Sequence, residues 1–195
     1  MNNAFKKQII QKAREYWDNN QPLQAGRAIF ECIPINRRHL WAYEILNIAY
    51  SYFPKGPKIE AVLEFAKFPE KWGEGKNGRS RDAHRIVDEV NHRQDDPIIF
   101  HLATQVGKIV YTAQQYPAPF DHSAGFRIAE ILKQIVQQVS DREFEAKAWS
   151  TLANEDFIVL EEPVMCHPDC PTCTLDGLTP MSKIIPQRFV RKNKS

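Results

Sequence analysis

Apolar residues recur every three or four positions through most of this sequence, and prolines interrupt the pattern. The clearest case follows Asp96 and Pro97. There, one face of a helix would carry Ile99, Leu102, Val106, Ile109, Val110 and Ala113. An aspartate before a proline also favours a helix start, because the aspartate caps backbone amides and proline fits the first turn. The periodicity therefore predicts a mainly α-helical fold.

The same pattern and its breaks divide the chain into about eight helices. Their predicted extents are 5–17, 22–33, 41–52, 58–67, 83–90, 99–113, 128–139 and 144–152. Ser140 and Glu143 have the spacing of a capping box, in which each side chain bonds the other residue's amide. Residues 157–160 are a strand candidate, because four apolar residues follow one another there. Short loops favour an irregular bundle or an array of α-hairpins.

Composition limits the class of protein. With 195 residues, 43% of them apolar, the chain can bury a core without disulfides. No stretch approaches the ~20 apolar residues of a membrane span, and the N-terminus lacks the apolar run of a signal peptide. We expect a cytoplasmic protein with no membrane partner, in which cysteines stay reduced. The sequence leaves open whether it is a homo-oligomer.

Three of the four cysteines lie close together near the C-terminus, as Cys166, Cys170 and Cys173, with His167 beside the first. A two-residue spacing such as that of Cys170 and Cys173 lets a tight turn bring two thiolates to one ion. The fourth ligand could be His167, Cys32, His122 or a group from another chain. The motif predicts a structural metal, with zinc favoured over an iron–sulfur cluster.

The spacing Cys-x3-Cys-x2-Cys also resembles the cluster-binding motif of radical S-adenosylmethionine enzymes. In that family the motif lies early in a β/α barrel. Here a helical region precedes it and only 22 residues follow Cys173. We therefore do not assign the chain to that family, because the context of a motif decides what it means.

A glycine-rich stretch at residues 73–78 satisfies G-x-G-x-x-G, but no βαβ pattern surrounds it. Together with Lys76, the residues Arg79 and Arg81 at the following helix start could bind phosphate through guanidinium groups and free amides. The alternative is a solvated loop without a ligand.

Arg79 and His84 have the Arg-x4-His spacing that resembles the signature of HEPN-type ribonucleases. The resemblance implies a metal-independent ribonuclease, in which His84 acts as acid or base and Arg79 stabilises the phosphate. In that family the motif lies inside a helix, whereas Arg79 follows a glycine loop.

The C-terminal tail is basic. From residue 179 onward there are five cations and no acidic residue. Removing these five from the 26 cations leaves 21 against 24 acidic residues, so the preceding chain carries about −3. Cations interleaved with apolar residues could bind a nucleic-acid backbone or an acidic protein. The residues proposed for this contact are Lys183, Arg188, Arg191 and Lys192.

Together these features predict three parts: a helical domain (1–156), a Cys/His metal-binding segment (157–180) and a basic tail (181–195). We interpret the chain as a non-enzymatic interaction module that binds nucleic acid or an acidic partner. The alternatives are the HEPN-like ribonuclease and a helical adaptor that binds only protein.

Overall fold

The computed structural model describes residues 3–69, 97–115 and 122–159. Within these ranges the chain forms seven α-helices. They are α1 (Asn3–Asp18), α2 (Pro22–Phe30), α3 (Arg38–Tyr50), α4 (Pro57–Lys67), α5 (Ile98–Gln115), α6 (His122–Val139) and α7 (Arg142–Leu152). The prediction of a mainly α-helical fold is confirmed. None of the seven combines the length and the apolar character that crossing a bilayer requires. The helix predicted at 83–90 lies outside the described residues.

Several helix boundaries follow local signals. After α1, Asn20 adopts a φ of 56°, a left-handed conformation that asparagine tolerates better than most residues. Pro22 then begins α2, and Pro57 begins α4. Proline fits the first turn because its missing amide has no partner there. The breaks predicted between these helices are therefore confirmed.

The predicted capping box is wrong. The N-cap of α7 is Asp141, whose carboxylate accepts hydrogen bonds from the amides of Glu143 (2.7 Å) and Phe144 (3.0 Å). Ser140 has a φ of 54°, and its hydroxyl donates back to the Gln137 carbonyl at 2.7 Å. Ser140 makes the turn out of α6, so the extended backbone of a cap occurs one residue later.

Two other expectations differ from the structure. α2 ends at Phe30, three residues before its predicted end. The strand predicted at 157–160 is not formed over its described part, where residues 155–157 are a turn. The amides of Phe157 and Ile158 donate to the carbonyls of Asn154 and Glu155. No strand in the described ranges is available for pairing, and both apolar side chains are buried against helices instead.

The most extensive helix contact joins α2 and α6, which lie about a hundred residues apart in sequence. Gly26 of α2 and Gly125 of α6 allow this close approach. A Cβ atom at residue 26 would lie 2.6 Å from the Ala129 Cβ, and one at residue 125 would lie 2.4 Å from the Phe30 ring. The absence of side chains at these two positions therefore sets the distance between the helices.

The remaining helices complete an irregular bundle around one apolar core. α1 covers α2, α5 packs between α6 and the pair formed by α3 and α4, and α7 contacts α3 and α6. At the centre the ring of Phe30 lies 5.4 Å from Trp41 and 6.3 Å from Phe126, measured between centroids. All three side chains are buried. Long-range packing between α2 and α6 makes this a bundle and not an array of successive pairs.

Candidate functional site

The functional residues predicted from sequence lie outside the described residues. They are Lys76, Arg79, Arg81, His84, Cys166, His167, Cys170, Cys173, Lys183, Arg188, Arg191 and Lys192. Among the described residues, no group of three or more histidine, cysteine or acidic side chains could hold a metal ion. The metal, phosphate and nuclease hypotheses therefore stay predictions.

The structure does describe the chain that leads to the cysteine motif. Residues 153–159, here called the exit segment, follow α7 and end seven residues before Cys166. The Lys6 Nζ donates to the Glu155 carbonyl at 2.9 Å, and the Arg37 Nη1 donates to the Asp156 carbonyl at 2.7 Å. The Val159 amide donates to the Cys32 carbonyl at 3.2 Å. Three separate parts of the helical body thus hold the exit segment.

Apolar contacts support these hydrogen bonds. Phe157 and Ile158 are buried, and the Arg37 guanidinium lies 5.3 Å from the centroid of the Phe157 ring. Just before the exit segment, the Trp41 Nε1 donates to the Leu152 carbonyl at 2.9 Å. Because buried side chains and hydrogen bonds act together here, the exit segment has a defined position on the body.

Beneath the exit segment lies a buried cluster of Arg27, Glu31 and Arg38. The Arg27 Nε donates to the Glu31 Oε1 at 2.9 Å, and all three residues are buried. The Arg38 Nε donates to the Ile33 carbonyl at 3.0 Å, and its guanidinium lies 4.3 Å from the Phe30 ring centroid. This ion cluster ties the end of α2 to the start of α3.

The cluster is incompletely satisfied. The Glu31 Oε2 and the Arg38 Nη2 are buried without a hydrogen-bond partner. Burial raises the pKa of Glu31 to about 7, although Arg27 and Arg38 both act to lower it. Burial also lowers the pKa of Arg38, against the effect of Glu31. Desolvation therefore outweighs the attraction between these charges.

Cys32 follows Glu31 in sequence, and its thiol is also buried. Burial, together with the nearby Glu31 charge, raises the pKa of the Cys32 thiol to about 12. Because the thiolate is the form that binds a metal, this environment disfavours Cys32 as a ligand. Of the alternatives for a fourth ligand, His167 keeps its place beside the cysteine motif.

Sequence reasoning missed this cluster. Arg27 and Glu31 have the i, i+4 spacing of a helical ion pair, but such spacing is common on exposed helix faces. The available signal was its surroundings, since Ala25, Ala28 and Ile29 make this helix apolar on most sides.

An open groove of about 380 Å³ lies on the surface between α1 and α7. Ile10 and Trp149 form its apolar floor, and the Arg14 guanidinium lies 5.0 Å from the Trp149 ring centroid. Its rim carries charges of both signs, including Lys7 and Glu155. This mixture does not define a preference for one charged ligand.

Comparison with protein-family models, with characterised proteins and with solved structures found no match to this chain, so its function is argued from its own residues.

Proposed function

We propose that this protein is a non-enzymatic interaction module, in which the helical body carries a zinc-bound cysteine segment and a basic tail that binds nucleic acid. The observation that carries the proposal is the exit segment. Its hydrogen bonds to Lys6, Arg37 and Cys32 give the C-terminal part a defined starting point on the body. A fixed origin lowers the entropy that a tail loses on binding.

The charge distribution supports a nucleic-acid partner. Five cations lie in the last 17 residues without an acidic residue among them, and the preceding chain is slightly acidic. Each cation that neutralises a phosphate releases counterions, which makes binding favourable and dependent on salt. By contrast, the groove between α1 and α7 has a mixed rim. The tail is therefore the stronger candidate for the contact.

The first test replaces Lys183, Arg188, Arg191 and Lys192 together by alanine. We expect affinity for single-stranded RNA to fall at least tenfold at about 100 mM salt, because as many as four phosphate contacts are lost. The slope of log K against log salt should decrease by up to about 3. Fluorescence anisotropy measures both quantities, and thermal unfolding should be unchanged.

The matched control replaces four exposed cations of the helical body by alanine, namely Lys7, Lys67, Arg142 and Lys147. This control should keep the affinity of the wild type. Equal loss in both variants would indicate general charge attraction and would contradict a tail-specific contact. Cleavage of the RNA that His84→Ala abolishes would favour the HEPN-like alternative instead.

The second test concerns the metal. We propose that Cys166, Cys170 and Cys173 bind zinc, with His167 as the fourth ligand, since zinc sites of three thiolates and one imidazole are tetrahedral and closed. Elemental analysis of purified protein should find about one zinc ion per chain. Replacing Cys170 and Cys173 by serine should remove most of it.

The control for the metal test is Cys32→Ala, which removes the remaining cysteine. We expect this variant to keep its zinc, because the Cys32 thiol is buried and its pKa is raised to about 12. Loss of zinc in Cys32→Ala would make Cys32 a ligand in place of His167. Iron in place of zinc would support a cluster, and wild-type protein without either metal would end the metal proposal.

A further inference from the structure

The buried cluster and the exit segment share the connection between α2 and α3. Glu31 belongs to the cluster, and the carbonyl of the next residue, Cys32, accepts the Val159 amide. At the other end of the connection, Arg38 belongs to the cluster, and the preceding residue, Arg37, donates to the Asp156 carbonyl. Each charged member on this connection is therefore adjacent to a residue that holds the exit segment.

The cluster has a reason to open. Glu31 lies fully buried with one carboxylate oxygen unbonded, and the Arg38 Nη2 is unbonded as well. A buried polar atom without a partner costs free energy, and a buried charge costs more. Opening the connection between α2 and α3 would let water reach both atoms. The same movement would displace Cys32 and Arg37, and with them the exit segment.

We propose that the buried cluster is a proton-controlled device that regulates the docking of the exit segment on the helical body. Protonated Glu31 is neutral and keeps the connection closed. Ionised Glu31 places a charge in a dry site, and opening of the connection hydrates it. The device regulates the position of the chain leading to the cysteine motif, and it does not depend on what that motif or the tail binds.

The other charged groups near these helices have partners of their own. On α6, Arg127 pairs with Glu130 at 3.0 Å, and Lys133 lies 3.4 Å from Glu145. The charged side chains of α1 that face solvent pair within the helix, as Lys12 with Glu15 and Arg14 with Asp18. Among the described residues, the charges that act on the Glu31 carboxylate are those of Arg27 and Arg38. The Cys32 thiol stays protonated across the relevant range of pH.

The direction of the pH effect follows from linkage. The pKa of Glu31 is about 7 in the closed form and returns towards its ordinary value of 4.5 when water enters. Between these values the open form is ionised and the closed form holds a proton. The stabilisation of the closed form is therefore complete below pH 4.5, and it is lost as the pH rises through about 7.

Hydrogen–deuterium exchange of the full chain tests the proposal. After correction for the intrinsic pH dependence, protection of amides in residues 157–159 should fall by up to about 25-fold between about pH 5.5 and 8.0. Glu31→Gln, which cannot ionise, should show little change over the same range. Glu15→Gln, which removes an exposed carboxylate, should behave as the wild type does.

Two outcomes of the exchange experiment would overturn the proposal. One is the same pH dependence in the wild type and in Glu31→Gln. The other is a parallel loss of protection in α5, because that would indicate opening of the whole body and not of the exit segment. If Glu31→Gln does not fold, a carboxyl titration of the wild type by carbon NMR replaces it. A Glu31 midpoint near its ordinary value of 4.5 would then exclude the device.

Discussion

Gly125→Ala should destabilise the protein by about 3 kcal/mol, near the upper end of the range for overpacked cores. The new Cβ would lie 2.4 Å from the Phe30 ring. That ring cannot move aside easily, since Trp41 and Phe126 contact it and the Arg38 guanidinium lies over it. The clash outweighs the gain of about 1 kcal/mol that alanine brings over glycine in an exposed helix. Thermal denaturation should show a melting temperature lower by roughly 10 °C.

Gly26→Ala should have a similar effect from the other side of the contact. Its Cβ would lie 2.6 Å from the Ala129 Cβ and 3.1 Å from the Phe126 carbonyl oxygen, so backbone of α6 would have to shift. The control is Gly56→Ala, where no atom lies within 4 Å of the added methyl group. Gly56 has a φ of −163°, which any residue adopts. Melting temperatures within 2 °C for all three variants would mean that α2 and α6 do not pack this closely.

Arg27→Met should destabilise the protein by about 3–5 kcal/mol at pH 8, because it leaves the Glu31 carboxylate buried without its hydrogen-bonded partner. The loss should be smaller at pH 5, where Glu31 holds a proton and the buried site is less charged. Chemical denaturation at the two values of pH measures both free energies. A loss that does not depend on pH would contradict the role of the Glu31 charge.

Arg14→Met is a closely matched control. Arg14 and Asp18 have the same i, i+4 spacing and the same Nε–O distance of 2.9 Å as Arg27 and Glu31. The side chains of the Arg14 pair are 43% and 54% exposed, against 3% and 0% for the buried pair. An exposed pair contributes about 0–1 kcal/mol, so this variant should be close to the wild type.

The double variant Arg27→Met with Glu31→Leu completes a thermodynamic cycle. Removing the carboxylate as well as the guanidinium leaves no unpaired charge between them, so the double variant should be more stable than Arg27→Met alone. Additive losses from the two single changes would show that the two side chains do not interact energetically.

Most helices could be predicted from sequence because their signals are local. Proline at residues 22 and 57 and the paired asparagines after Asp18 mark boundaries within a few residues of the change in backbone conformation. The apolar stripes also predicted the buried faces, as Phe5, Ile9 and Ala13 of α1 illustrate. Such patterns depend on residues three or four positions apart, which a single sequence contains.

The errors occurred where distant contacts compete with local preference. Residues 157–159 have the apolar character of a strand, but Phe157 and Ile158 reach the core as part of a turn. Residues 31–33 could have continued α2, yet Arg38 from α3 binds the Ile33 carbonyl where a helix would have used it. In both cases the tertiary contact satisfies groups that regular secondary structure would otherwise satisfy.

The order of the helices, their breaks and their apolar faces follow from the amino-acid sequence, because neighbours in the chain set them. The closeness of α2 and α6, the burial of Glu31 and the position of the exit segment required the folded structure. Each depends on groups brought together from distant parts of the chain, and the cost of ionising Glu31 arises only once packing has excluded water.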